Sequence, residues 1–267
     1  MHLLNYIRSI HIAKPSICKI AYSAILRVMK VLLTSGGITN DTLAAELEGL
    51  VGKKFPELKI GFIPTAAFQT EGDKEWLIMD LYRLKQRGAF VELVDIGQLT
   101  RGETVERLQG VDVIFFGGGN TFYLSWCLAE KDLFKPIAEL VKGKVYAGIS
   151  AGSMIATSTI RPASQAMKSV HLYDEAYKEF GPVGRSHTQT FDFVNFAFRP
   201  HYGSAQFRGV NDEKLQEFAD KTRVKIYAAD DQSALKILDD SVQFVGEGIT
   251  KVFVPSEITV KGNDNEY

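Results

Sequence analysis

The sequence predicts an α/β fold: a mostly parallel central sheet covered by helices on both faces, forming a three-layer sandwich. Three observations carry the prediction. From Met29 onward, short apolar strand-like runs alternate with helical stretches, the pattern of a parallel sheet buried on both sides. Two of those runs end in glycine clusters, Gly36-Gly37 and Gly117-Gly118-Gly119. A third, inside KVYAGISAGSMIATS at Lys144 to Ser158, passes from β-forming residues to small, helix-permissive ones at a serine.

Taken in order, Val31 to Ser35 is the first strand, and Asn40 or Asp41 caps a helix that reaches about Val51. Lys59 to Pro64 is the second strand, with Thr65-Ala66-Ala67 leaving its carboxyl end. Asp73 to Arg87 is an amphipathic helix, with Leu77, Leu81 and Leu84 on one face and Gly88 as C-cap. Phe90 to Asp95 is the third strand, Thr104 to Gln109 a short helix, and Val111 to Phe116 a fourth strand, apolar apart from Asp112. A helical segment from about Phe122 to Glu130 follows the triple glycine. Arg161 to Thr190 has weak periodicity and reads as a long excursion with one short helix, Asp174 to Glu179. Excursions of this kind inside compact domains are often binding loops. Phe191 to Phe198 is aromatic-rich and strand-like, Asp212 to Thr222 a helix, and Val224 to Ala228 a strand. Leu235 to Leu238 and Val242 to Val245 alternate as a hairpin.

Residues 1–28 stand apart from this pattern. They carry Arg8, Lys14, Lys19 and Arg27 with no Asp or Glu, and these charges break up the apolar centre that a secretory signal needs. A basic, acid-free segment can imitate a transit peptide. We favour translation starting at Met29, which enters a buried strand at once, and expect the extension to be poorly ordered. Residues 29–254 then form the α/β domain and 255–267 a tail.

With 267 residues, 45% hydrophobic content and a formal charge of −1, the chain suits one large globular domain. Its near-neutral balance, without a long basic run, leaves no electrostatic footprint for nucleic acid. No apolar run of about 18 residues occurs, so no membrane partner is expected. Cys18 and Cys127 suggest neither a disulfide framework nor a metal cluster, which fits a reducing compartment and a cytoplasmic location.

The chemistry is concentrated in three places. Gly148-Ile149-Ser150-Ala151-Gly152 spells G-x-S-x-G, the pattern in which small neighbours let a strained strand-to-helix turn hold a serine hydroxyl out at the sheet edge. A plain tight turn shares that pattern. The triple glycine before Asn120-Thr121 leaves N–H groups free at a helix N-terminus. It does not fit a dinucleotide fingerprint, because Phe122 stands where the third glycine belongs, and Walker A is absent. An oxyanion hole needs the same donors, one from Ala151 and one from Gly118 or Gly119. A glycine loop without a ligand is the plain alternative. For a general base, His171, His187 and His201 are the candidates outside the extension, and Pro200 places the His201 imidazole at a strand end. Asp230-Asp231 after an apolar strand serve equally as turn residues or as a carboxylate that orients an imidazole.

GGGNT at Gly117 to Thr121, GISAGS at Gly148 to Ser153 and RPHY at Arg199 to Tyr202, in this order, resemble the peptidase E family, the aspartyl dipeptidases, over about Met29 to Phe253. The resemblance implies a sheet similar to that of class I glutamine amidotransferases and acyl transfer to water. It implies Ser150 as nucleophile, His201 as base, and Gly118, Gly119 and Ala151 as the oxyanion region. Asp231 stands where members and the related cyanophycinases have an acid before their last hairpin. The implied substrate is a short peptide, a dipeptide with N-terminal aspartate, and neither a metal nor an organic cofactor is implied.

One departure stands out. The family is also associated with an aspartate about fifteen residues beyond the serine, where this chain has Gln165, leaving Asp231 as the orienting acid or a dyad without one. A substrate aspartate asks for a cationic pocket, for which Arg161, Lys168 and Arg185 on the excursion and Arg199 and Arg208 near His201 are candidates, with Asn120 as a further contact. The elbow serine separates the chain from a glutamine amidotransferase proper, whose nucleophile is a thiolate. Two other readings stay open: a cyanophycinase-like exopeptidase on β-linked aspartyl peptides, and a non-catalytic module that holds an anion. The oligomeric state is left open.

Overall fold

The computed structural model describes residues 29–160, 188–207 and 211–256. The described residues form ten strands: β1 (Lys30–Thr34), β2 (Lys59–Ile63), β3 (Phe90–Leu93), β4 (Val113–Phe116), β5 (Val145–Ile149), β6 (Ala197–Arg199), β7 (Ile226–Ala229), β8 (Ser233–Leu238), β9 (Ser241–Gly246) and β10 (Thr250–Phe253). Seven of them make the main sheet in the order β3-β2-β4-β5-β1-β8-β9. The first five of that order run parallel, and the β8–β9 hairpin joins β1 antiparallel. A smaller sheet, β10-β7-β6, lies beside it.

The central strands β1, β2, β4 and β5 are apolar on both faces because each face meets helices, and alternate residues serve opposite layers. On one side Leu32, Phe62, Phe115 and Ala147 pack against Leu43 and Leu47 of α1 (Asp41–Val51) and Leu77 and Leu84 of α2 (Glu75–Gln86). On the other, Val31, Leu33, Ile114, Phe116 and Tyr146 meet Leu108 of α3 (Arg101–Gln109), Leu124 and Leu128 of α4 (Thr121–Glu130), Ile137 of α5 (Phe134–Val141) and Met154 of the short α6 (Ala151–Met154). Each such buried side chain contributes about 1.5–3 kcal/mol through area removed from water. The small sheet has its own cluster, with Ala197, Ile226 and Phe253 against Leu215 and Phe218 of α7 (Asp212–Thr222). This is the expected three-layer sandwich.

Caps place the helix starts. Asn40 Oδ1 accepts from Leu43 N at 2.9 Å to open α1, and Thr100 and Glu103 form a capping box that starts α3 at Arg101, three residues before the expected Thr104.

The expected strand Phe191 to Phe198 is corrected: only Ala197–Arg199 is a strand. Phe191 and Phe193 use their rings instead, stacking on each other at 5.0 Å and meeting Tyr146 edge-on. Aromatic content there reflects packing over β5 rather than sheet pairing. The sequence reading also lacked α5 and β10. The extension 1–28 with Cys18, the expected helix Asp174 to Glu179, and Arg161, Gln165, Lys168, His171, Arg185, His187 and Arg208 lie outside the described residues. Of the tail, residues from 257 onward lie outside them too. Among the described residues no helix is long and apolar enough to cross a membrane.

Candidate active site

In open α/β sheets the crevice beyond the strands' carboxyl ends is where ligands sit. Here the ends of β1, β4 and β5 meet in a cleft of about 730 Å³ lined by Ser35, Gly118, Gly119, Ser150, His201 and Asp231 among others. Ser150 occupies the corner between β5 and α6 with φ 47° and ψ −103°, a backbone conformation that non-glycine residues adopt only when their surroundings enforce it. The surroundings are explicit. Thr34 at the end of β1 accepts at its carbonyl from Ser150 N (3.1 Å) and Ser153 Oγ (2.7 Å), while its own hydroxyl donates to Gly148 O (2.6 Å). From the opposite side, the buried Tyr146 hydroxyl donates to Gly152 O at 2.6 Å. The flanking glycines are steric requirements: a Cβ on Gly152 would fall 2.2 Å from Phe116 O, and one on Gly148 2.5 Å from Gly152 C.

His201, with φ 58°, lies two residues beyond β6. Its Nε2 is 2.8 Å from Ser150 Oγ, and its Nδ1 is 2.7 Å from Asp231 Oδ1. Asp231 sits in the turn leading into β8. Burial pushes its carboxyl upward, but hydrogen bonds from His201 and Ser35 and the nearby charges of His201 and Arg83 outweigh that and hold it below the usual carboxylate range. An ionised Asp231 accepts a hydrogen bond from Nδ1–H, which leaves Nε2 to accept from the serine hydroxyl. Ser35 completes the frame: its hydroxyl donates to Asp231 Oδ1 (2.6 Å) and accepts from His201 N–H (2.7 Å). The imidazole face is covered by the Phe207 ring, stacked at 4.8 Å.

Opposite the hydroxyl, the triple-glycine loop is pinned at both ends, by Gly117 N to Ile63 O (2.9 Å) and Asn120 N to Ala66 O (2.8 Å). Between those pins, and at the start of α6, the N–H groups of Gly118, Gly119 and Ala151 meet no backbone acceptor among the described residues. Gly119 has φ 132°, and a Cβ there would overlap Ala66 O at 2.2 Å. A hydroxyl backed by an imidazole and a carboxylate, facing N–H donors that have no backbone acceptor among the described residues, is equipped to attack a carbonyl and hold the resulting oxyanion.

Thus Ser150, His201, Asp231, Gly118, Gly119 and Ala151 are brought together. Two expected substrate contacts fare differently. Asn120 lines the cleft, but its Oδ1 caps α4, accepting from Phe122 N and Tyr123 N at 3.0 Å. Arg199 is corrected: it is buried at 3% exposure, its guanidinium lies 5.5 Å over the Phe207 ring, and it does not line the cleft. Its position follows from strand alternation, which turns it to the same face as Ala197. Burial pushes its pKa down to about 10.

Sequence reasoning missed Ser35, Asp80 and Arg83, all of which line the cleft. The signal for Asp80 was present, since it shares the inward face of α2 with Leu77 and Leu84, where a carboxylate is out of place. It is 7% exposed, and burial raises its pKa to about 7 despite Arg83, whose Nη1 donates to it at 3.1 Å.

Comparison with known proteins gives the same picture. Peptidase E of Streptomyces coelicolor is 27% identical over 216 residues, 76% of this chain and 83% of that protein. A Drosophila melanogaster relative named "Probable alpha-aspartyl dipeptidase" is 28% identical over 164 residues, 59% of this chain and 62% of its own. The crystal structure of a Listeria monocytogenes EGD-e protein superposes with a TM-score of 0.67 at 24% identity, over 83% of this chain and 99% of that one. A peptidase from an acI-B1 Actinobacterium does so at 0.60 and 21%, over 87% and 97%. These two structures fix the fold alone, the class I glutamine amidotransferase-like sandwich. The family model described as peptidase family S51 matches residues 31–245, nearly the whole described sheet, and the chain therefore belongs to peptidase family S51, the peptidase E family, and is a peptidase.

Proposed function

We propose that the chain is a serine-type peptidase acting on short peptides, with dipeptides bearing an N-terminal aspartate as its substrates. The observation that carries the mechanism is the continuous contact from Ser150 Oγ to His201 Nε2 (2.8 Å) and from His201 Nδ1 to Asp231 Oδ1 (2.7 Å). Ser150 Oγ attacks the scissile carbonyl while His201 Nε2 takes its proton, and Asp231 holds the imidazole and balances the imidazolium charge. The N–H groups of Ala151 and of Gly118 or Gly119 receive the oxyanion. His201 then gives the proton to the departing amine as the C–N bond breaks, leaving an acyl ester on Ser150. Water, deprotonated by the same imidazole, cleaves the ester and restores the hydroxyl. Preference for aspartate rests on the family resemblance and on the Drosophila relative's name.

Mass spectrometry after treatment with a fluorophosphonate tests the nucleophile: a single adduct on Ser150 is expected, and an unmodified Ser150 overturns the reading. Asp-Leu, Asn-Leu and Ala-Leu assayed side by side test the substrate. Equal rates on all three remove the aspartyl preference and leave the serine mechanism standing.

A further inference from the structure

With Arg199 turned away, the cleft is left with one cation among its described lining residues, Arg83 on α2. Its side chain is 30% exposed, and among the described residues Nη1 is its only atom with protein acceptors, the Asp80 carboxyl at 3.1 Å and the Gly36 carbonyl at 3.4 Å. Guanidinium carries five N–H donors in a planar fork, so most of the fork remains available to the cleft. The two anchors fix its place. Asp80 is buried beneath it, and Gly36 belongs to the turn after β1 that packs on Asp231, where a Cβ on Gly36 would come within 2.9 Å of the Asp231 Cβ. Arg83 is therefore tied to the same backbone turn that holds the acid of the Ser150–His201–Asp231 chain. Besides His201, which is engaged with Ser150 and Asp231, the other ionisable groups among the described lining residues are carboxylates: Glu71 and Glu75, exposed at its edge, and Asp80 and Asp231. A negatively charged group on a ligand has a single favourable place among them.

We infer that Arg83 is the carboxylate anchor of the cleft, receiving a carboxylate of a short peptide on the open side of its guanidinium while the peptide's carbonyl lies at Ser150. This rests on the peptidase reading and adds to it the residue that selects the substrate. Arginine suits the task because a planar fork accepts a carboxylate through two parallel hydrogen bonds, which fixes direction as well as charge. The carboxylate has two possible sources in a dipeptide, the aspartyl side chain and the free C-terminus.

The test compares kcat/KM for Asp-Leu, Asn-Leu and Asp-Leu amide in the wild-type enzyme, Arg83→Lys and Arg83→Gln. If the side chain is the source, wild type prefers Asp-Leu over Asn-Leu by roughly 10- to 150-fold. That ratio falls towards one in Arg83→Gln, with Arg83→Lys between. If the C-terminus is the source, the Asp-Leu to Asp-Leu amide ratio behaves in this way instead. Either result supports the anchor. It is overturned if both wild-type ratios persist in Arg83→Gln, if neither ratio exceeds one in wild type, or if none of the three peptides is cleaved. Should Arg83→Gln fail to fold because Asp80 is left without its partner, the Asp80→Asn/Arg83→Gln double variant replaces it. Fluorophosphonate labelling of wild type separates the two claims: an unlabelled Ser150 defeats the serine mechanism, while the peptide ratios still decide Arg83.

Discussion

Ser35 Oγ and Asp231 Oδ1, 196 residues apart in the chain, are 2.6 Å apart at the cleft floor. The same hydroxyl accepts the His201 N–H, so one side chain fixes both the carboxylate and the backbone of the residue it orients. Ser35→Ala leaves the His201 N–H without its acceptor and Asp231 with one fewer donor. The expected outcome is a kcat about tenfold lower with KM little changed, at a stability cost of about 1 kcal/mol, read from steady-state kinetics and urea unfolding.

Ser150→Ala and His201→Ala should each lower kcat by roughly 10⁴-fold, and the double variant by no more than either alone, because the two act as one unit. Asp231→Asn should cost about 10- to 10⁴-fold. Ser153→Ala is the control for register. It removes a buried hydrogen bond to Thr34 O, so melting should shift by an amount equivalent to about 1 kcal/mol with kcat nearly intact. Loss of turnover in Ser153→Ala with turnover kept in Ser150→Ala would sink the assignment.

The elbow glycines predict a sharp contrast between two superficially equal substitutions. Gly152→Ala drives a Cβ into the Phe116 carbonyl of the neighbouring strand, whereas Gly102→Ala, in the first turn of α3, meets nothing within 4 Å. Gly152→Ala should lose about 3 kcal/mol or more, or fail to fold. Gly102→Ala should be neutral or gain about 0.5–1 kcal/mol. Thermal melting of the two variants checks both.

Much of this site was legible because its parts are local. The elbow needs small residues at fixed spacing, and the oxyanion loop needs consecutive glycines after a strand, so both appear as words in the sequence. His201 and Asp231 were joined only through the family resemblance and not from the residues alone, since their meeting depends on where β6 and β8 bring their ends. Ser35 and Thr34 were invisible for the same reason: a serine and a threonine at a strand end become significant only when β1 is seated next to β5. Arg199 was misread because His201, two residues on, faces the cleft, and strand alternation does not carry past the end of β6 to His201, which is itself in a left-handed conformation. Phe191 and Phe193 misled as strand residues because aromatic side chains are favoured equally by sheets and by the surfaces that cover them.

Asp80 makes stability depend on pH in an unusual direction. Its folded pKa of about 7 lies above the ordinary carboxylate value, so between the two the native state binds more protons than the unfolded one. Stability from this group is therefore greatest at the acid end of that window and falls as pH rises towards about 7. Asp231, held low, acts oppositely, but its contribution is lost only as pH falls below the ordinary carboxylate range. Urea unfolding between about pH 5 and about pH 8 should show the Asp80 decline in the wild type. Asp80→Asn should flatten it, and an unchanged slope would remove Asp80 as its cause.

The first of the described strands, β1, lies in the interior of the sheet, with Lys30 paired to Val145 on one side and Leu238 on the other. A ribosome therefore delivers β1 long before either of its neighbours exists. Until β5 is made, β1 has both edges open, and until β8 follows, the serine corner has only one of its flanking strands backed by a completed sheet. Loop closure over such separations slows folding, and unpaired apolar strand edges in the meantime are sites for misassociation between nascent chains. The groups that hold the catalytic turn all precede β8, but β1, on which that turn leans through Thr34, keeps one open edge until β8 arrives, so a product truncated before β8 carries the site on an unfinished sheet.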